Sequence, residues 1–587
     1  MLLRTVVCQL ARHPELLDAI SLQQVLDFIS FAAAIKSDIC FVQPTPTSRD
    51  DPPPAFLSPG ICSFLADSTA IPYELIDDIW ALFRDVVWAH GEPSEQAASV
   101  RRAFDEHGLH RGITLLSFYP PHRHCINPLC SGREPVLGKQ QARQVVAFTL
   151  DDGARPAWAI NLYCSHCQTT YHHNYSVRQH ERTYYPGIPD FLQVGEHQFI
   201  AAALASAWTD LMVVSWVSAT NCARSYEMSL SQKSTHVEGW QFGFSLTTEQ
   251  VWDAFILLAL LRDHERRSQL LHVPHSGEQR DRFVTAMQRR NELIVFAGQP
   301  ELRHYCDRCM RIYEDPDTSV PMRKCQPIVV DGITLGHPCC GVFGCKVPLA
   351  NNRHRFCPVH TPLHYVCAVN GCDSPVVPGS KTCSDRQTDL PTARTDAPCP
   401  SKSATGNVKR KAQFGRRRTH NEQIIVRPCG VVVARATFYG AEAVSNVLLF
   451  VERVFEIAGA LKPDEMFYDT ACAALREIIF NQLLWWRDVG LPVDVFHHKT
   501  KHTIRDLLCQ LHCNPANFPE LLTPDGKWYF NSSAAEQTNA WLGGYQAICR
   551  EMLTTKYNFF LDEMIMRRNV TVVERLRKQG HNPMYSS

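Results

Sequence analysis

The stretch QPIVVDGITLG, residues 326–336, decides how the rest of the chain is read. Ile328, Val329 and Val330 form an apolar run that ends abruptly at Asp331-Gly332. A short β-branched run bounded by turn residues reads as a buried strand, and one that ends in an acid delivers a carboxylate to a sheet edge. A dense cysteine and histidine array follows, then a basic stretch, and then strand and helix patterns resume with further acids. The sequence thus predicts an α/β core whose first strand carries Asp331 and is followed by a metal-binding insertion.

Downstream, sheet-like sequence returns at 423–426 and 430–438, and an apolar helical stretch covers 443–461. Met466, Phe467 and Tyr468 predict a strand ending in Asp469, with a helix over 471–485. LPVDVFHHKTKH, 491–502, reads as a strand carrying Asp494 and His497, with His498 and His502 beyond it. NSSAAEQTNAW, 531–541, predicts a helix capped by Ser532 and Ser533, with Glu536 in its first turn. Strand with Asp331, insertion, two strands, helix, strand with Asp469, helix, strand, helix, and a helix with Glu536 is the order of a ribonuclease-H-like fold. Carboxylates suit hard cations. Asp331, Asp469 and Glu536 are therefore candidate catalytic ligands for two Mg2+ or Mn2+ ions in phosphodiester chemistry. Asp494 is a rival for Asp469.

The 24 cysteines gather in clusters with C-x2-C and C-x4-C spacing, which favours Zn2+ over disulfides. Cys125 and Cys130, then Cys164 and Cys167, supply two pairs for a tetrahedral site, with a hairpin over 145–159 between them. The expected shape is a zinc ribbon; four unrelated buried cysteines is the alternative. Cys306, Cys309 and Cys325 precede the Asp331 strand and would share a site with His337 or Cys339. After it, Cys340, Cys345, Cys357 and His360 form one expected zinc site. Cys367, Cys372 and Cys383 begin a second, with Asp385 or Asp389 as candidate fourth ligands. His497, His502, Cys509 and Cys513 are either a further zinc site or polar residues around the core.

Length and composition set the frame. At 587 residues the chain exceeds one core. Zero formal charge means that nucleic-acid affinity must come from local patches. No run of 18 apolar residues exists, so no membrane span is expected, and the first residues do not read as a signal peptide. The expected organisation is a helical region (1–117), a zinc-ribbon-like cluster (118–195), a helical region (196–300), a C-x2-C lead-in (301–325), the first core strand (326–337), the zinc insertion (338–383), a basic linker (384–422) and the rest of the core (423–587). Candidate DNA contacts are Arg178, Arg182, Tyr184 and Tyr185, the arginines at 280, 282, 289 and 290, the basic segment 401–418, and the RRN and RLRKQG segments of a C-terminal helix. An ordinary solvated surface is the alternative for each.

VVDGITLGHPCC, the C-x4-C and C-x2-H units, FYDTAC, VDVFHHKTKH with Cys509 and Cys513 after it, and SSAAEQTNAW together resemble KDZ-type (Kyakuja–Dileera–Zisupton) DNA transposases of fungi, over roughly residues 118–580. The resemblance implies a ribonuclease-H-type transposase core with three acidic metal ligands, which map to Asp331, Asp469 and Glu536, and a zinc module inserted after the first strand. It implies double-stranded DNA, both transposon ends and target, as partner. A homo-oligomer and a nuclear location go with that expectation. SDRQTD stands after Cys383, where the family's last histidine is expected. The rival expectation is a catalytically inactive, zinc-dependent DNA-binding protein derived from a transposase.

Overall fold

The computed structural model describes residues 10–11, 13–43, 52–89, 98–132, 135–231, 234, 237–314, 321–368, 372–384 and 417–585. It is a mixed α/β protein of two compact units, 1–286 and 287–587. Most of the basic segment at 401–418, together with Asp385 and Asp389, lies outside the described residues.

The first unit begins with helices, among them Leu22–Ala34, Pro59–Thr69 and Ile76–Ala89, closed round a core that includes Phe28, Phe64, Trp80 and Phe104. Ser21 opens the first of these with a reciprocal capping box to Gln24. A nine-stranded sheet follows. Its centre is the antiparallel hairpin Gly138–Phe148 and Ala154–Tyr163, longer at both ends than the sequence pattern suggested. Its turn, Asp151-Asp152-Gly153, places Gly153 at φ +72°, where a side chain would be strained. Leu116–Phe118 adds in parallel to one side of the hairpin and Gln198–Ala201 to the other.

The second unit holds a four-stranded sheet in the order Val432–Phe438, Asn421–Val426, Ile328–Ile333, Met466–Tyr468. The first three pair antiparallel, and Met466–Tyr468 runs parallel to Ile328–Ile333. Ile328 and Val330 face one side, into a core with Val447, Val451 and Ile478 from the helices Val444–Phe455 and Ala471–Asn481. Alternation then sends Val329 and Asp331 to the opposite face, where the helix Ala534–Leu542 reaches Asp331. The long helix Thr554–Lys578 is tied to the sheet by Arg435, which bonds Glu422 (3.0 Å) and Asp562 (2.7 Å), all three being buried.

The insertion hangs between neighbouring strands. The chain leaves at Ile333 and returns at Asn421, and a two-residue antiparallel ladder, Pro338–Cys339 against Arg417–Arg418, closes its base. The expected strand at 491–502 is absent. Those residues form the helix Val495–Lys501, because Asp494 caps it by accepting from the Phe496 N–H (2.9 Å) and the His497 N–H (3.1 Å).

A carboxylate cluster and the cysteine–histidine groups

Asp331 sits where the central strand meets the sheet end. Its Oδ1 accepts the Gly332 N–H (2.8 Å) and its Oδ2 accepts from Asn539 Nδ2 (2.9 Å). Gly332 is needed here: a Cβ would meet the amide nitrogens of Gln423 and Asn421, which both donate to Glu442. Asp469 follows the parallel strand, and Glu536 lies in the first turn of the Ala534–Leu542 helix. Their meeting point is His497. Its Nδ1 lies 2.8 Å from Asp469 Oδ1, 3.0 Å from Glu536 Oε1 and 3.3 Å from Asp494 Oδ1, yet its N–H is aligned with none of them.

The electrostatics agree with this convergence. Burial pushes Asp331 above the usual carboxylate range, and the Asp469 and Glu442 charges add to it. Burial also raises Glu536, with Asp494, Asp469 and Asp331 contributing and His497 opposing. Crowded acids in a partly dehydrated place favour a proton or a cation.

The four acids are not equivalent. Asp494 is 3% exposed, and both its oxygens are engaged, since Oδ2 takes the Ser533 hydroxyl (3.3 Å). Asp469 and Glu536 keep side-chain exposures of 29% and 37%. Ser533 therefore braces Asp494 and does not cap its own helix with its side chain. Sequence reasoning missed Glu442 and Asn539, which carry no spacing signal.

The cysteines form compact groups. Cys125, Cys130, Cys164 and Cys167 converge as expected, at the end of the long hairpin where Tyr163 runs into Cys164. Cys340, Cys345, Cys357 and His360 converge too, with His360 Nδ1 3.2–3.5 Å from the three sulfurs. Cys367, Cys372 and Cys383 form a three-membered group. The lead-in pair differs from expectation. Cys306 and Cys309 meet His304 and Cys429, not His337 or Cys339, and Cys325 is set apart, its thiol donating to Glu465 Oε2 (2.9 Å). Near the acids, Cys472, His502 and Cys509 form a group that His497 does not join. Each group brings three or four thiol and imidazole donors within 4.8 Å of one another, a zinc-type set.

Several expected DNA contacts are structural. Tyr184 is buried, Arg182 stacks on Tyr175 (4.5 Å), and Arg282 donates to the Pro274 and His275 carbonyls (2.7 Å each). Arg290 pairs with buried Glu563, and Arg568 donates to the Gly430 carbonyl (2.7 Å). Arg575, Arg577 and Lys578 remain exposed. Among the described residues no helix is long and apolar enough to cross a membrane.

Comparison with known families places these clusters in a class. Residues 113–230 match the CxC5 like cysteine cluster associated with KDZ transposases. Residues 329–391 match the CxC6 like cysteine cluster associated with KDZ transposases. The resemblance to KDZ transposases is thereby borne out, and the chain carries two cysteine clusters of that group. No curated protein and no solved structure matches it.

Proposed function

We propose that the chain is a DNA transposase that cleaves transposon ends and joins the 3′-hydroxyls to target DNA on a ribonuclease-H-like core. The observation that carries this reading is the convergence of Asp469, Glu536 and Asp494 oxygens on one point at His497 Nδ1, with Asp331 contributing to the same field. The strand order, three antiparallel strands with a fourth parallel to the first, supports it. So do the two transposase-associated clusters.

Asp331, Asp469 and Glu536 are the residues to hold magnesium or manganese. Asp494, already occupied as a helix cap, holds the backbone of His497. Such ions, when bound, supply activation of the attacking hydroxyl and neutralisation of the leaving oxygen. Lys501, 3.5 Å from Asp469 and 59% exposed, would meet a DNA phosphate beside the reacting one. The cysteine groups act as zinc staples for loop-rich chain.

A second reading has an observation of its own. His497 seats a ring nitrogen at the point where the acids converge, where an ion would otherwise sit, which suits a transposase-derived DNA-binding protein that no longer cleaves. The discriminating experiment is nicking of supercoiled DNA by purified chain in magnesium and in manganese. Cleavage that Asp469→Ala removes, with DNA retention unchanged, supports the transposase. DNA retention without cleavage in either metal supports the second reading and overturns the first.

A further inference from the structure

We propose that Cys472, His502 and Cys509 hold a zinc ion, and that this ion fixes the backbone of Asp469. The site lies outside both matched cysteine clusters. Its three donor atoms lie within 4.8 Å of one another.

The tautomer of His502 carries the argument. Its Nε2 is 3.0 Å from the Asp469 carbonyl oxygen. A carbonyl only accepts, so Nε2 bears the proton. The Nδ1 lone pair is then bare, and it faces Cys509 Sγ at 3.2 Å and Cys472 Sγ at 3.8 Å. Two thiols and a bare imidazole nitrogen directed at one point are a zinc donor set, and an outward N–H held by a backbone carbonyl is how metal-bound histidines are usually oriented. Cys472 is the second residue of the helix Ala471–Asn481. Arg476, one turn on, adds positive charge and pairs with Asp506, which also accepts the Cys509 N–H. Cys513, four residues after Cys509 and fully buried in the same core, lies outside this three-donor group.

Asp469 lies between its strand and this helix. Its carbonyl is held by His502, while its carboxylate points to His497 and Lys501. The positioning role rests on the divalent-ion reading above; the zinc site does not.

The test counts metal on the full chain. Cys509→Ser is expected to lose one zinc per chain, and to bind Mn2+ about tenfold more weakly by calorimetry, the usual scale for losing an outer-shell partner. Cys509→His, which keeps a ligand, should retain both. Unchanged zinc content in Cys509→Ser overturns the site. Zinc lost with Mn2+ affinity unchanged overturns the positioning role alone. Should wild-type chain bind no Mn2+, both the divalent-ion reading and the positioning role fall, and the zinc count still decides the site. If Cys509→Ser does not fold, anomalous scattering at the zinc edge from crystals of the unmodified chain decides. A peak about 2.3 Å from the Cys472 and Cys509 sulfurs supports the site, and no peak there overturns it.

Discussion

Asp469 and Asp494 show how two acids in the same cluster take different tasks. Asp494 spends its oxygens on two backbone N–H groups and a hydroxyl. Asp494→Ala should therefore cost stability, about 1–2 kcal/mol for the lost cap, measured by urea denaturation. Asp469→Asn should leave the denaturation midpoint nearly unchanged and weaken Mn2+ binding at least tenfold, measured by calorimetry. Glu465 offers a separate readout. Burial raises its carboxyl from 4.5 to about 7, opposed by the Cys325 thiol. Its folded value exceeds its unfolded one, so its contribution is full below about 4.5 and is lost as pH rises through 7. Glu465→Gln should flatten the fall in stability between those values in a pH series of thermal melts.

At the scale of elements, legibility followed the length of the local pattern. The strand that carries Asp331 and the one that stops just before Asp469 were readable because apolar runs give way to an acid, and the helix with Glu536 because serines and an acid mark its first turn. VDVFHHKTKH was read as strand because its first few residues alternate, whereas Asp494 as cap commits it to helix. The zinc groups built from adjacent pairs were legible, since spacing alone defines them. His304 with Cys429 was not, because 125 residues separate them and folding alone brings them together. The same holds for Cys472 with Cys509. The Arg435 contacts make a prediction at this scale. Arg435→Met leaves Glu422 and Asp562 buried without their cation, and should destabilise the attachment of the C-terminal helix by about 3–5 kcal/mol. Hydrogen exchange should then rise in Thr554–Lys578 first.

For the molecule as a whole, the acids set a pH response. Asp331 and Glu536 are both held above the ordinary carboxylate range by burial first. In the ion-free chain each keeps its proton to higher pH than in the unfolded chain, so their contribution to stability declines as pH climbs through their raised values. A divalent ion competes with those protons. Mn2+ affinity should therefore increase with pH across that window, and calorimetry in buffers of different ionisation enthalpy should register proton release. Affinity independent of pH would remove these two acids from the ion site.

The short ladder between Pro338–Cys339 and Arg417–Arg418 has a broader meaning. It brings the two ends of more than seventy residues side by side before the sheet resumes. Closing a loop whose ends are already joined costs little more when the loop grows, about 0.6 kcal/mol per doubling. Residues can therefore be added to or removed from the enclosed segment at little entropic cost to the strand that carries Asp331, while contacts such as Asn352 to the Glu551 carbonyl anchor its folded part.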